Sequence, residues 1–226
     1  MLVIKYHGHS CFEVYDDGDP EKNIIFDPFD RNTGDFSLDV SAWLVLCSHD
    51  HFDHNAWKRV AKKGTKHYVG YIGTDVINDV KVKGVGTFHD PSLGALRGKN
   101  TVYVVKMNDF IIAHLGDIGH LLEESNIKEI MEWGRINVLF VPTGGIYTID
   151  PAQAITIIHQ LNPNIAIPMH YRHEKHNKRI FGRLSTLDEF VKIAKEGFKV
   201  NFMDSNMLSI DKQELPEKTE IFILKA

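Results

Sequence analysis

Cysteine is nearly absent from this chain: two residues, Cys11 and Cys47, in 226. Two thiols make no disulfide framework. Each sits in an apolar, strand-like run, so a reduced, buried thiol is expected rather than a metal ligand. No apolar run approaches the roughly 20 residues of a membrane-spanning helix, so no membrane span is expected. The opening Met1-Leu2-Val3-Ile4-Lys5-Tyr6-His7 turns polar too soon for a signal peptide. A cytoplasmic location is expected on these grounds. An excess of positive charge is missing too: 26 Lys and Arg stand against 30 Asp and Glu, a net charge of −4. That balance argues against a general nucleic-acid binder, and no nucleic-acid partner is expected. There is no low-complexity linker and no tandem repeat, and residues 1–226 read as a single domain. An apolar content of 43% and a charged content of 25% suit a globular protein with a core of its own.

Histidine is what the chain has in quantity: 13 residues, three of them in Ser48-His49-Asp50-His51-Phe52-Asp53-His54. Imidazole nitrogen and carboxylate oxygen both suit a borderline divalent ion such as Zn²⁺, at about 2.0–2.2 Å. Side chains two apart in an extended segment point the same way, so His49 and His51 can reach one ion. Asp53 and His54 lie further on, where they can serve an adjacent one. The apolar run Ala42–Cys47 that precedes the cluster reads as a strand buried on both faces. The pattern recurs. Extended runs end at His89-Asp90, at His114-Leu115-Gly116-Asp117 and at His170. If these strand ends share one edge of the sheets, their ligands converge on rigid supports.

The remaining elements alternate. Extended runs are expected at 2–6, 11–15 and 23–27, and near 66–71, 81–88, 101–107 and 110–115, the last two joined by a turn at Asn108-Asp109. Residues 53–63 read as a helix stopped by Gly64. Residues 125–133 read as another, with Ser125 as cap. Asp150-Pro151 and the capping box Thr186-x-x-Glu189 open two more. Two short strands close the chain. Mixed strand and helix order with ligands at strand ends predicts a layered α/β architecture.

The motif His49-x-His51-x-Asp53-His54, followed by His89, Gly116-Asp117 and Pro168-Met169-His170-Tyr171, resembles the metallo-β-lactamase superfamily. Gly8-His9-Ser10-x-Phe12, Phe26-Asp27-Pro28 and Pro142-Thr143-Gly144-Gly145 narrow the likeness. They resemble the branch of small Zn-dependent hydrolases that includes ascorbate-6-phosphate lactonase-like proteins and the phospholipase D acting on N-acyl ethanolamine lipids. The resemblance implies a four-layer αβ/βα sandwich with its metal site along one edge. It implies two ions per chain, zinc with manganese or iron as alternatives. His49, His51 and His89 would hold the first; Asp53, His54 and His170 the second; Asp117 would bridge them. His114 competes with His89 for the third-histidine role, the alternative being a strand-end histidine satisfied by hydrogen bonds. His9 is expected near the metals, as a catalytic or substrate contact or as a strand-end histidine with a backbone partner.

The implied chemistry is hydrolysis of an ester, lactone, amide or phosphodiester by a hydroxide formed between two ions, with Asp53 passing a proton to the leaving group. Arg97 and Asn100, on the glycine-rich loop after His89, and Tyr171 and Arg172, opening the basic run after His170, are the expected substrate contacts. The charge of Arg97 and of the basic run that Arg172 opens points to a small-molecule, anionic substrate. The rivals are weaker. A nuclease of this fold usually carries an insertion before its last metal histidine, and only about fifty residues separate Asp117 from His170. A di-iron oxidoreductase of this fold typically has Glu where this chain has His51.

Overall fold

The apolar runs become the strands of two mixed sheets in the computed structural model, which describes residues 1–226. In chain order the elements are β1 (Leu2–Gly8), β2 (Cys11–Asp16), β3 (Asp19–Phe26), β4 (Ala42–Cys47), β5 (Ala61–Val69), β6 (Gly73–Ile77), β7 (Val80–Phe88), β8 (Lys99–Met107), β9 (Phe110–His114), α1 (Glu124–Ile130), β10 (Val138–Pro142), α2 (Pro151–Leu161), β11 (Ile165–Met169), α3 (Lys178–Phe181), α4 (Leu187–Ala194), β12 (Lys199–Phe202), β13 (Met207–Ile210) and β14 (Glu220–Ile223). One sheet runs β13-β1-β2-β3-β4-β5 and the other β12-β14-β11-β10-β9-β8-β7-β6. No helix is long and apolar enough to cross a membrane.

Strand periodicity sorts the side chains between layers. Tyr103, Val105, Ile112, Val138, Phe140, Ile165 and Ile167 of the second sheet meet Ile4, Phe12, Ile24, Phe26, Leu44 and Leu46 of the first. The alternate residues Val102, Val104, Ile111, Ala113, Leu139, Val141 and Ala166 face the other way, against α2 and α4. Central strands buried on both faces read as continuous apolar runs for this reason. The outer face of the first sheet, with Cys11, Ile25, Val45 and Cys47, is covered by the irregular segment carrying Phe29, Phe36 and Leu38. Both thiols are buried and free.

The direction of the strands aligns their ends. β1, β3 and β4 run the same way, since β1 and β3 are each antiparallel to β2 and β3 is parallel to β4. In the second sheet β9, β10 and β11 are mutually parallel, and β7 matches them through two antiparallel steps across β8. The residues that leave the C-terminal ends of β1, β3, β4, β7, β9 and β11 therefore emerge along one edge of the sandwich.

Three local expectations are corrected. Residues 53–63 form no α-helix: a single 3₁₀ turn at Trp57–Arg59 gives way to β5. The segment has too little apolar surface to bury a helical face, while β4 offers an unpaired parallel edge, which β5 takes with Val45 beside His67. α1 is capped by Glu123, whose partner in the capping box is Asn126, so Ser125 lies inside the helix. The chain closes with three short strands rather than two. Asp150 and Thr186 cap α2 and α4, Asp150 accepting the Gln153 N–H at 2.8 Å.

Candidate metal centre

The shared edge brings six strand ends together: His9 after β1, Asp27 after β3, His49, His51, Asp53 and His54 after β4, His89 after β7, Asp117 after β9 and His170 after β11. Three overlapping groups result, with donor atoms within 4.8 Å of one another: His49, His51 and His89; His49, His54 and Asp117; and His9, Asp53, His54 and His170. Asp117 is central. Its Oδ2 lies 3.1 Å from His54 Nε2, 3.2 Å from His170 Nε2 and 3.3 Å from His89 Nε2. His114 joins no group. Its Nε2–H donates to the Ser10 carbonyl at 2.9 Å, its Nδ1 accepts the Gly116 N–H at 3.1 Å, and its ring stacks flat on Phe26.

These residues fit a metal. His49 Nε2, His54 Nε2, His170 Nε2 and Asp117 Oδ1 are buried and have no hydrogen-bond partner. Orphaned buried polar atoms are rare and call for a partner. Two donors about 2.0–2.1 Å from one tetrahedral ion lie about 3.3 Å apart, which matches the approaches to Asp117 Oδ2. His54 Nε2 makes its approach without hydrogen-bond geometry, as co-ligands do.

The protonation pattern agrees. Asp27 is fully buried and accepts from Ser48 N and Ser48 Oγ, both at 2.7 Å, and from His54 Nδ1 at 2.8 Å. Ser48 Oγ, having donated to Asp27, accepts from His49 Nδ1 at 2.9 Å. The Nδ1 protons of His49 and His54 are thereby committed outward, and both Nε2 lone pairs face the cluster, as metal ligation requires. Burial keeps His49 neutral, well below the usual imidazole range. Burial also opposes charge on His54, but Asp117, Asp53 and Asp27 outweigh it and push the group well above that range. Those carboxylates recruit a positive charge, and a divalent ion would take the place of the proton.

Asp27 was visible in the sequence only as part of Phe26-Asp27-Pro28, with no role attached. Asp27→Asn is expected to weaken metal binding about 10–100-fold, the usual cost of losing a group that orients a ligand. It should also cost about 1–3 kcal/mol of stability through unpaired buried donors. Chelator competition and thermal melting measure the two. Unchanged metal affinity with lowered stability would show that Asp27 only fills space.

The proposed substrate contacts separate. Arg97 lines a cavity of about 310 Å³ together with His51, Asp53, His89 and Asp117, whose other walls are Phe52, Tyr147, Ile180 and Phe181. The loop carrying Arg97 is held by Asp90, which accepts the N–H groups of Ser92, Gly94, Leu96 and Arg97 at 2.8–3.2 Å. The guanidinium sits 5.7 Å from the centre of the Tyr147 ring. Arg97 and His51 also line a neighbouring cavity of about 400 Å³ with Lys99, Val69 and Ile72. Asn100 is corrected. Its side chain is buried and spent, donating to Thr87 Oγ1 and the Leu115 carbonyl and accepting the Asp117 N–H at 2.9 Å. It holds Asp117 and does not reach the cavity. Tyr171 is also corrected, being buried beside Tyr6. Arg172 donates to the Gly182 carbonyl and lines a different cavity with Lys178 and Arg183. From the basic run, Ile180 and Phe181 line the cavity at the metal centre, while Arg172, Lys178 and Arg183 line the other one.

Gly116 shows how tightly the edge is built. Its φ is 57°, and a Cβ there would stand 2.4 Å from Asn100 Oδ1 and 2.5 Å from Ser48 Cβ. Only glycine allows Asp117 this close to the strand end of β4. Elsewhere, His67 stacks on Trp57, His159 lies against Phe198 and His120 accepts the Phe88 N–H, all outside the cluster.

Two mixed sheets packed face to face, with helices on the second sheet and histidine and aspartate donors gathered along one edge, define an α/β-sandwich protein with a candidate metal centre. A beta-lactamase superfamily domain model matches residues 3–170. A UPF0173 metal-dependent hydrolase of Staphylothermus marinus is 33% identical over 198 residues, covering 76% of this chain and 84% of that protein. A crystal structure from Thermotoga maritima, assigned as a Zn-dependent hydrolase of the metallo-β-lactamase superfamily, is 32% identical and superposes with a TM-score of 0.75 over 100% of both chains. The diiron β-hydroxylase CmlA of Streptomyces venezuelae shares the fold alone, at 13% identity and a TM-score of 0.59 over 86% of this chain and 51% of its own. The chain belongs to the metallo-β-lactamase superfamily and stands among its metal-dependent hydrolases.

Proposed function

We propose that the protein hydrolyses a small anionic ester, lactone or phosphodiester using two divalent ions, zinc in the first place, with manganese or iron as alternatives. The observation that carries this reading is the ring of unpartnered buried donors around Asp117, opening into a cavity that Arg97 also lines. His49, His51 and His89 would hold one ion and Asp53, His54 and His170 the other, with Asp117 between them. Bound there, the ions supply Lewis acidity, which makes water acidic near neutral pH and offsets charge developing on the scissile group.

The chain's own residues do the rest. Arg97 binds and orients the anionic group, since a guanidinium matches carboxylate and phosphate in a bidentate manner. Phe52, Tyr147, Ile180 and Phe181 surround the opposite part of the substrate and limit water, which strengthens every charge interaction nearby. Asp53 lines the same cavity and would pass a proton to the leaving group. Lys99 adds a second cation beside Arg97 in the adjoining cavity.

Kinetics on matched neutral and phosphorylated esters test the reading. Arg97→Ala is expected to lower kcat/KM for the anionic ester by roughly 1–3 kcal/mol of charged hydrogen bonding, about 5- to 150-fold. Metal content should not change, and the preference for the anion should weaken with salt over a Debye length of ~8–10 Å. A preference for the neutral ester, insensitive to salt and to Arg97→Ala, would reject the anionic substrate.

A further inference from the structure

We infer that His176 fixes the tautomer of His9, and through it the hydrogen bond that anchors Asp53 beside the metal centre. The relay joins positions 167 apart in the chain.

Three hydrogen bonds in series determine where the protons lie. At the outer end, the His173 backbone N–H donates to His176 Nδ1 at 3.1 Å. A backbone N–H is only ever a donor, so Nδ1 of His176 carries a lone pair. The His176 proton is therefore on Nε2, which donates to His9 Nδ1 at 3.0 Å. His9 Nδ1 is in turn an acceptor, so the His9 proton is on Nε2 and is donated to Asp53 Oδ2 at 3.2 Å. A carboxylate at one end and an amide N–H at the other leave a single arrangement of protons that satisfies all three bonds. A charged His9 would set its Nδ1–H against the His176 Nε2–H.

The backbone holds the relay in place. His9 adopts a left-handed conformation, φ 53°, uncommon for any residue other than glycine. Its carbonyl is clamped by the Tyr6 hydroxyl at 2.9 Å and by the His170 N–H at 2.8 Å. Strained, over-determined backbone of this kind concentrates at functional sites. On the other side, Asp35 N donates to the Lys175 carbonyl and Asn177 N to the Thr33 carbonyl, pinning the His176 segment against the loop that follows β3. His176 itself is buried.

His9 has its one lone pair occupied by His176 and its one proton given to Asp53. It has no site at which to take a proton from water or substrate. His9 is a positioning residue, and His176 positions it. The tautomer stands on the hydrogen bonds alone; only its effect on metal rests on the proposed hydrolase site.

Histidine-labelled ¹⁵N spectra of the full-length protein, with and without added Zn²⁺, read the tautomers directly. The expected result is Nε2–H for both His9 and His176. His176→Phe, which keeps the bulk and removes the donor, should leave His9 in a mixture of tautomers. It should weaken one of the two bound zinc ions about 10–100-fold, and lower kcat with little change in KM. His176→Gln, whose amide both donates and accepts, should restore the His9 tautomer, the zinc affinity and kcat. An Nδ1–H tautomer of His9 in the unsubstituted protein would overturn the relay. So would a His176→Phe protein whose His9 tautomer and zinc affinity are unchanged, or a His176→Gln protein no better than His176→Phe. Correct tautomers in a protein that binds no metal would leave the relay standing and remove the hydrolase reading instead.

Discussion

Asp117→Ala is expected to empty both metal positions at once and to reduce hydrolysis by more than the 10–100-fold typical of groups that merely orient a ligand. Asp117 Oδ2 stands within 3.1–3.3 Å of ligand nitrogens from three different loops, those of His54, His89 and His170. No other carboxylate of the cluster reaches both sides. Its removal also withdraws the negative charge that most favours a cation near His54, leaving His49, His54, His89 and His170 facing one another. His49→Ala, by contrast, removes one ligand from one side and should leave one ion bound. Elemental analysis of the two purified variants separates these outcomes. Two ions retained by Asp117→Ala would show that the carboxylate is not shared, and the two-ion site would have to be redrawn around other residues.

His89→Ala and His114→Ala should fail in opposite ways. His89 packs edge-on to His49, with ring centres 4.7 Å apart, and its Nε2 approaches Asp117 Oδ2 at 3.3 Å. Its loss should cost metal and activity while leaving the melting temperature of the metal-free protein nearly unchanged. His114 is fully buried between Phe12, Phe26 and Phe140, and both ring nitrogens bond to backbone. Truncating it opens a void in the core and orphans the Ser10 carbonyl and the Gly116 N–H. Large-to-small changes in such places cost about 2–5 kcal/mol. His114→Ala should therefore melt early yet bind two ions when folded. Metal lost from His114→Ala at a temperature where the protein is demonstrably folded, with His89→Ala fully loaded, would reverse the two roles.

Much of this site is legible in one dimension because its donors are grouped by local chain geometry. His49, His51, Asp53 and His54 fall within six residues, so their proximity needs no tertiary information. The apolar runs of β4, β9 and β11 were equally plain, since strands buried on both faces carry no polar interruptions. The segment after His54 reads as a helix in one dimension because a short amphipathic stretch is ambiguous by itself. The open edge of β4 decided for a strand, and only the folded sheet has that edge. Arg172 and its neighbours follow His170 in sequence, which by itself points them to the metal mouth. Yet the chain turns at once, so that Ile180 and Phe181 line the candidate metal centre while Arg172, Lys178 and Arg183 line a separate cavity.

By itself, then, the sequence determined the donor set, the strand-end pattern and the family, because each is written in residue types at short spacing. The tertiary structure alone decided which histidine turns toward the cluster and which into the core. It decided that Asn100 serves Asp117 and leaves the cavity to Arg97, and that Asp27 and His176 orient His54 and His9 from far away in the chain. The physical reason is direction. A hydrogen bond or a ligand bond depends on where a lone pair points, and that is set by the crossing of strands from both sheets, which no local pattern records.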